Sequence, residues 1–296
     1  MIDALKKIFP SLLVYNDYLM ELPEDHRWFL TGSDQVIGIH NNELNSENEA
    51  ILSALLTPYN VKLPPLTDQE KRWKALISSP PEQDEEVQGY RFVYFTLKKN
   101  QIEPEAFVNA IQDLFQAPVP FLWQNDHEGV IIELKDSTSD ENISYEQIID
   151  TLMSDLYVKI KFFVGPFLYS YVNIDKHHAA MGDTARTVFS SSDEPVITYV
   201  DAIPISLVSQ TSEALRSHMR EHILMEFKDD DEFLATIHAF IRSNMNISVA
   251  AKNLYMHRNS LQYRLDKFFD RTGIDIRQFD QAVTVYLSLL ANMHKE

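Results

Sequence analysis

Cysteine is absent from the 296-residue chain. That excludes disulfides and every thiolate chemistry, whether metal-binding, redox or nucleophilic, and it fits a reducing compartment. No apolar run reaches the roughly 18 residues of a membrane-spanning helix. Met1 to Pro10 carries two lysines and a short apolar patch with no small-residue cleavage site behind it. No signal peptide is read there, and the expected location is the cytoplasm. Glycine is scarce, at 7 residues, and no phosphate loop, dinucleotide fingerprint or Gly-x-Ser-x-Gly elbow occurs. Positive charge is scarce too: 26 Lys and Arg face 44 Asp and Glu, a formal charge of −18. Net charge of that sign does not draw a protein onto nucleic acid.

The charge is unevenly spread. Phe233 to Glu296 holds eight Lys and Arg against five Asp and Glu, a local surplus of three. Charges more than about 8 Å apart are largely screened at physiological salt. A basic tail can therefore meet phosphates while an acidic body stays in solvent.

The chain divides into sections at 1–84, 88–205, 207–231 and 232–296. In the first, short strand-like runs (Trp28 to Leu30, Gln35 to His40) precede helical stretches, a small mixed α/β unit of unassigned role. Ser78 to Glu86, with two prolines and four acids, reads as a linker. The second section alternates. Arg91 to Leu97 is a strand by its aromatic and β-branched content, and Glu103 to Gln116 has a helical period. Pro120 to Trp123 and Gly129 to Leu134 form a hairpin, and a helix opens at Ser144. Lys159 to Val164 is a strand, a helix runs from Asp175 to about Phe189, and Val196 to Val200 is a last strand. This order predicts an α+β fold, a ferredoxin-like layer with an added helix and strand. From Leu207 onward the chain reads as helical, with Ser212 to Phe227 one linker helix.

Residues 232–296 carry the functional signal. Glu232 to Asn244 reads as a helix. Asn246 and Ser248 offer cap chemistry, Val249 to Tyr255 is a short helix, and Met256-His257 is a tight connection. Arg258 to Arg271 is a longer helix stopped by Gly273. Ala251, Leu254, Leu261 and Leu265 point inward. Ser248, His257, Arg258, Asn259, Ser260, Gln262, Tyr263, Arg264 and Lys267 are the candidate DNA contacts. Arg and Asn offer paired hydrogen bonds to guanine and adenine edges, and Ser, Lys and Tyr suit phosphates. The spacing alone equally describes a helical bundle with a polar face, since such shapes also serve as protein contacts.

The stretch AAKNLYMHRNSLQYRLDKFFDRTGID, Ala250 to Asp275, resembles the C-terminal helix-turn-helix of PucR-type regulators. The combination of HRNS, YRL and TGID carries the match, with Ser260 where the family commonly has Thr. The middle section is similar, more loosely, to the degenerate GGDEF-like domain of the CdaR/PucR group, through VGPFLYSYVNIDKHHAAMGDTARTVF and VITYVDAIPISLV. The resemblance implies a transcriptional regulator of a catabolic or nutrient-use operon that binds double-stranded DNA and answers to a small-molecule effector. The alternative is a protein-interaction scaffold whose helical tail no longer binds DNA. A homodimer or higher oligomer is expected, because one helix-turn-helix buries too little surface for tight specific binding. Either the middle domain or the apolar helix Phe279 to Leu290 would supply the contact, unless that helix is enclosed by its own bundle.

Other patterns invite chemistry. His218, Glu221 and His222 spell the inverted zinc-protease motif, though a third ligand is missing and a solvated helix face explains them. His177, His178, Asp175 and Asp183 include adjacent histidines that diverge on a helix, and Asp175 reads as its N-cap. The hairpin from Trp123 through Asp126 and Glu128 to Gly129 stands where a nucleotide cyclase needs a Gly-Gly turn and metal-binding carboxylates, and it lacks that set. Tyr15, Tyr18, Trp28 and Phe29 line a small-ligand pocket or are simply core. No enzyme activity, metal or cofactor is expected.

Overall fold

The computed structural model describes residues 2–14, 23, 25–31, 35–59, 63–83, 87–98, 101–115, 118–135 and 144–293. Tyr15 and Tyr18 lie outside them. The first unit contains α1 (Ile2–Ile8), β1 (Leu13–Val14), β2 (His26–Leu30), β3 (Val36–His40), α2 (Ser46–Leu55) and β4 (Thr57–Pro58). The strands form an antiparallel sheet in the order β1-β3-β2-β4. Phe29, Ile37 and Ile39 meet Leu52 and Leu56 beneath it. Trp28 lies so close over Gly38 that a Cβ there would sit 2.6 Å from the indole. Both described aromatics of the proposed ligand pocket, Trp28 and Phe29, are therefore core residues.

The helix α3 (Asp68–Ser78) opens on a capping box between Thr67 and Glu70. It packs against the second sheet. Trp73 sits among Tyr90, Phe92 and Tyr171 against the second sheet. Glu70 is buried and its second carboxylate oxygen accepts from the Phe121 amide at 2.8 Å.

The second sheet contains β5 (Tyr90–Leu97), β6 (Phe121–Trp123), β7 (Glu128–Leu134), β8 (Ile160–Val164) and β9 (Val196–Thr198). Its order is β6-β7-β5-β8-β9. All pairings are antiparallel except β8 with β9. The helices α4 (Pro104–Phe115) and α5 (Tyr145–Leu156) cover one face, where Val93, Phe95, Ile131 and Phe162 meet Phe107, Ile111, Ile148 and Leu152. Against the other face lie α3, α6 (Ile174–Ser191) and α7 (Tyr199–Ser209). Two expectations are corrected here. Val196 to Val200 is not all strand: Thr198 caps α7 by accepting from the Asp201 amide at 3.3 Å. The N-cap of α6 is Asn173, not Asp175, one of whose carboxylate oxygens is buried with no hydrogen-bond partner.

The linker is not one helix. After α8 (Glu213–Met219) the chain widens into a π turn over Arg220–Leu224 and tightens into a 3-10 turn over Met225–Phe227, with Met225 at φ 51°. The shift in period lets Met219 pack on the middle core while Leu224 and Phe227 enter the C-terminal core. That core holds α9 (Asp231–Arg242), α10 (Ile247–Asn253), α11 (Arg258–Thr272) and α12 (Phe279–Met293). Much of the apolar surface of α12 is used within the chain, while Phe279, Val283 and Met293 stay exposed. Val285 and Leu289 face the C-terminal core, while Tyr286, Leu287, Leu290 and Ala291 belong to the middle core.

The same junction carries an ion pair, Arg242 with Asp201 at 2.9 Å, and a parallel stack of His238 on Tyr286. Burial pushes the His238 imidazole below its ordinary 6.5, and the nearby Arg242 charge adds to the effect. The folded chain thus refuses a proton that the unfolded chain accepts. Stability should fall as pH drops from neutrality through 6.5 and below. Thermal melts across that range should show a smaller acid-side loss for His238→Gln than for the natural chain.

Candidate nucleic-acid interface

The geometry starts with α10 and α11. Asn246 caps α10, accepting from the Ser248 and Val249 amides at 3.0 and 3.2 Å. Such a cap contributes about 1 kcal/mol. Ala250 and Ala251 are fully packed, which lets α10 approach its neighbours closely. The turn between the helices spans 254–257, with Tyr255 in the left-handed region at φ 52° and 99% exposed. His257 caps α11: its Nδ1 accepts from the Asn259 amide at 3.2 Å. Leu261, Leu265 and Phe268 form the buried stripe of α11. Leu254 is half-buried beside them, and Ala250 and Phe268 join the inward set expected from sequence.

Burial of that stripe sorts the candidate contacts. Ser248, His257, Arg258, Asn259, Ser260 and Tyr263 are exposed. Among the described residues, the side chains of Arg258, Asn259, Ser260 and Tyr263 have no hydrogen-bond or ion-pair partner. They project from the first turns of α11, the part of a recognition helix that reaches base edges. The other three candidates are engaged. Gln262 donates to Asp266 at 2.9 Å. Arg264 is half-buried and donates to Thr236 at 2.8 Å and to Glu232 at 2.6 Å. Lys267 lies over the rings of Phe227 and Phe233, 5.6 and 5.5 Å from their centroids. Lys252, exposed in the last turn of α10, is a cation that the sequence reading did not single out.

Residues 233–291 match the PucR C-terminal helix-turn-helix domain. The uncharacterized protein YxkF of Bacillus subtilis (strain 168) is 29% identical over 300 residues, 99% of either chain. The leucine-rich protein of Streptococcus dysgalactiae subsp. equisimilis is 25% identical over 301 residues, 97% of this chain and 99% of that one. The carbohydrate diacid regulator of Escherichia coli (strain K12) is 37% identical over 54 residues, 18% of this chain and 14% of its own length.

Within the residues that match this domain, the motif residues divide between surface and scaffold. HRNS supplies the helix cap and the exposed turn. TGID closes the far end of α11. Gly273 takes φ 71° and its amide donates to the Phe269 carbonyl at 2.8 Å. A left-handed residue there costs an ordinary side chain about 1–2 kcal/mol. Thr272 accepts from the Ile274 amide at 3.1 Å, and Asp275 accepts from the Arg277 guanidinium at 2.6 Å. Arg277 also reaches Asp266 at 2.8 Å, fastening the loop to the helix. Burial acts to raise the Asp275 carboxyl, but the hydrogen bonds from Arg277 outweigh it and hold the group below the usual range.

The remaining chemical patterns do not assemble. The tilted rings of His218 and His222 lie 4.2 Å apart between centroids on an exposed face, and Glu221 pairs with Lys228 at 2.5 Å. His178 packs edge-on against Phe92, and Asp183 pairs with Arg186. Among the described residues no group of three or more His, Cys, Asp or Glu is placed to hold a metal ion. In the β6–β7 hairpin Glu128 accepts from Asn125 at 2.9 Å and Asp126 pairs with His127 at 2.7 Å. Gly129 is required by packing, since a Cβ would sit 2.8 Å from Phe95. No described helix is long and apolar enough to cross a membrane.

Proposed function

We propose that the chain is a sequence-specific DNA-binding transcriptional regulator and that α11 is its recognition helix. One observation carries the reading: Arg258, Asn259, Ser260 and Tyr263 stand exposed and unpartnered on the first turns of a helix whose opposite face is fully packed. A fold-stabilising role would have given these groups partners in the chain. Arg258 and Asn259 suit guanine and adenine edges, and Ser248, His257, Ser260, Tyr263 and Lys252 suit phosphates. Similarity to the PucR helix-turn-helix domain supports it.

In this reading the chain works as a homodimer, each copy reading one half-site. The middle unit is a ferredoxin-like, GGDEF-like scaffold that senses or assembles. Its element order is β-α-β-β-α-β, with the last strand and the first neighbouring in the sheet. The target is a catabolic or nutrient-use operon under a small metabolite. Incubating the purified protein with fragmented genomic DNA and sequencing what it retains tests the reading. A recurrent short motif is expected, and retention without any motif would contradict it.

A further inference from the structure

The reading face of α11 does not open onto bare solvent. Between it and the start of α9 runs a cleft of about 500 Å³, lined on one side by Asn259, Ser260, Tyr263, Arg264 and Lys267 and on the other by Asp230, Glu232 and Phe233. An acidic run, Asp229-Asp230-Asp231-Glu232, thus borders the surface that DNA must approach. Its members are placed differently. Asp230 is committed to the helix cap, accepting from the Phe233 amide at 3.0 Å. Glu232 reaches across the cleft to the Arg264 guanidinium at 2.6 Å.

The two ends of that ion pair are unequal. The Arg264 side chain is 26% exposed and held on its other side by the buried Thr236 hydroxyl. The Glu232 side chain is 82% exposed. Release of the carboxylate therefore leaves the guanidinium aimed where it was, and an exposed ion pair contributes little that would oppose release. A guanidinium binds carboxylate and phosphate through the same planar donor fork.

We propose that Glu232 is an internal stand-in for a DNA phosphate: it occupies Arg264 in the free protein and gives it up to a backbone phosphate entering the cleft. The inference rests on the DNA-binding reading above. It makes Glu232 a determinant of affinity. The chain binds DNA more weakly than its cations allow, so exposed base-reading groups carry a larger share of the discrimination.

Binding of the intact chain to a mixed-sequence duplex, followed by fluorescence anisotropy across salt concentrations, tests it. Glu232→Gln should bind about fivefold tighter at low salt, the upper worth of an exposed ion pair. Asp231→Asn removes the same charge one residue away and should give distinctly less. Arg264→Ala should flatten the log–log salt slope by about 0.9, one phosphate contact, and should remove most of the gain from Glu232→Gln. The Glu232→Gln arm stands alone if Arg264→Ala loosens the fold, because Glu232 is at the surface. A Glu232→Gln protein no tighter than the natural chain, an equal gain from Asp231→Asn, or a folded Arg264→Ala protein with an unchanged slope overturns the inference. Absence of binding by both the natural chain and Glu232→Gln at low salt overturns the DNA-binding reading and the inference with it.

Discussion

Phe268→Ala should destabilise the C-terminal unit by about 3–5 kcal/mol, the range for truncating a buried phenylalanine. Phe268 is fully buried, and its ring sits 5.5 Å from Phe227 and 6.4 Å from Phe233, themselves stacked at 4.3 Å. These rings join α11, α9 and the turn before α9, and Lys267 rests on two of them. The loss combines transfer and cavity terms. Urea unfolding followed by far-ultraviolet circular dichroism should show the C-terminal transition moved to lower denaturant. DNA retention should fall in parallel, because α11 loses its platform. The neighbouring Phe269 is 41% exposed. Phe269→Ala should therefore cost far less, and equal losses at the two positions would contradict the assigned core.

Arg258→Ala should leave stability unchanged and weaken binding to a selected DNA fragment by about 1–3 kcal/mol, the worth of an arginine that reads guanine. Arg258 is the first residue of α11, exposed and without a partner among the described residues. Its removal creates no cavity and orphans no buried group. Its effect therefore reports recognition alone, unlike that of Arg264, whose removal also takes a partner from Thr236 and Glu232. Mobility shifts on the selected fragment and on a scrambled one separate the two. The natural chain should prefer the selected fragment strongly, and Arg258→Ala should lose most of that preference. Full preference in the variant would remove the first turn of α11 from the reading face.

The bounds of α11 were legible because local signals agree: inward Leu261 and Leu265 at helical spacing, and a glycine just past the helix end, where φ is above zero. The strands of the second sheet were legible for the same reason, as aromatic and β-branched runs between turn residues. Partnerships distant in sequence were not. Arg264 reads as outward by spacing, yet its partners stand 28 and 32 residues away on α9. Glu70 forms half of a capping box with one oxygen, but its other oxygen serves an amide 51 residues on and ties α3 to the second sheet. The helix α7 was hidden by composition. Val196 to Val200 favours strand, whereas packing of Ala202, Ile205 and Val208 on the middle core makes the segment from Tyr199 a helix despite Pro204 inside it. The apolar excess of α12 was visible, but only the fold shows that one helix serves two cores.

Footprinting of the intact chain on a fragment it has selected from genomic DNA tests the central claim most directly. Two related half-sites should be protected, their centres about 10 base pairs apart or a multiple of that, with contacts in the major groove. Arg258→Ala should erase the protection while the variant keeps its fold. Protection that is uniform along the fragment, or that survives in Arg258→Ala, would contradict it.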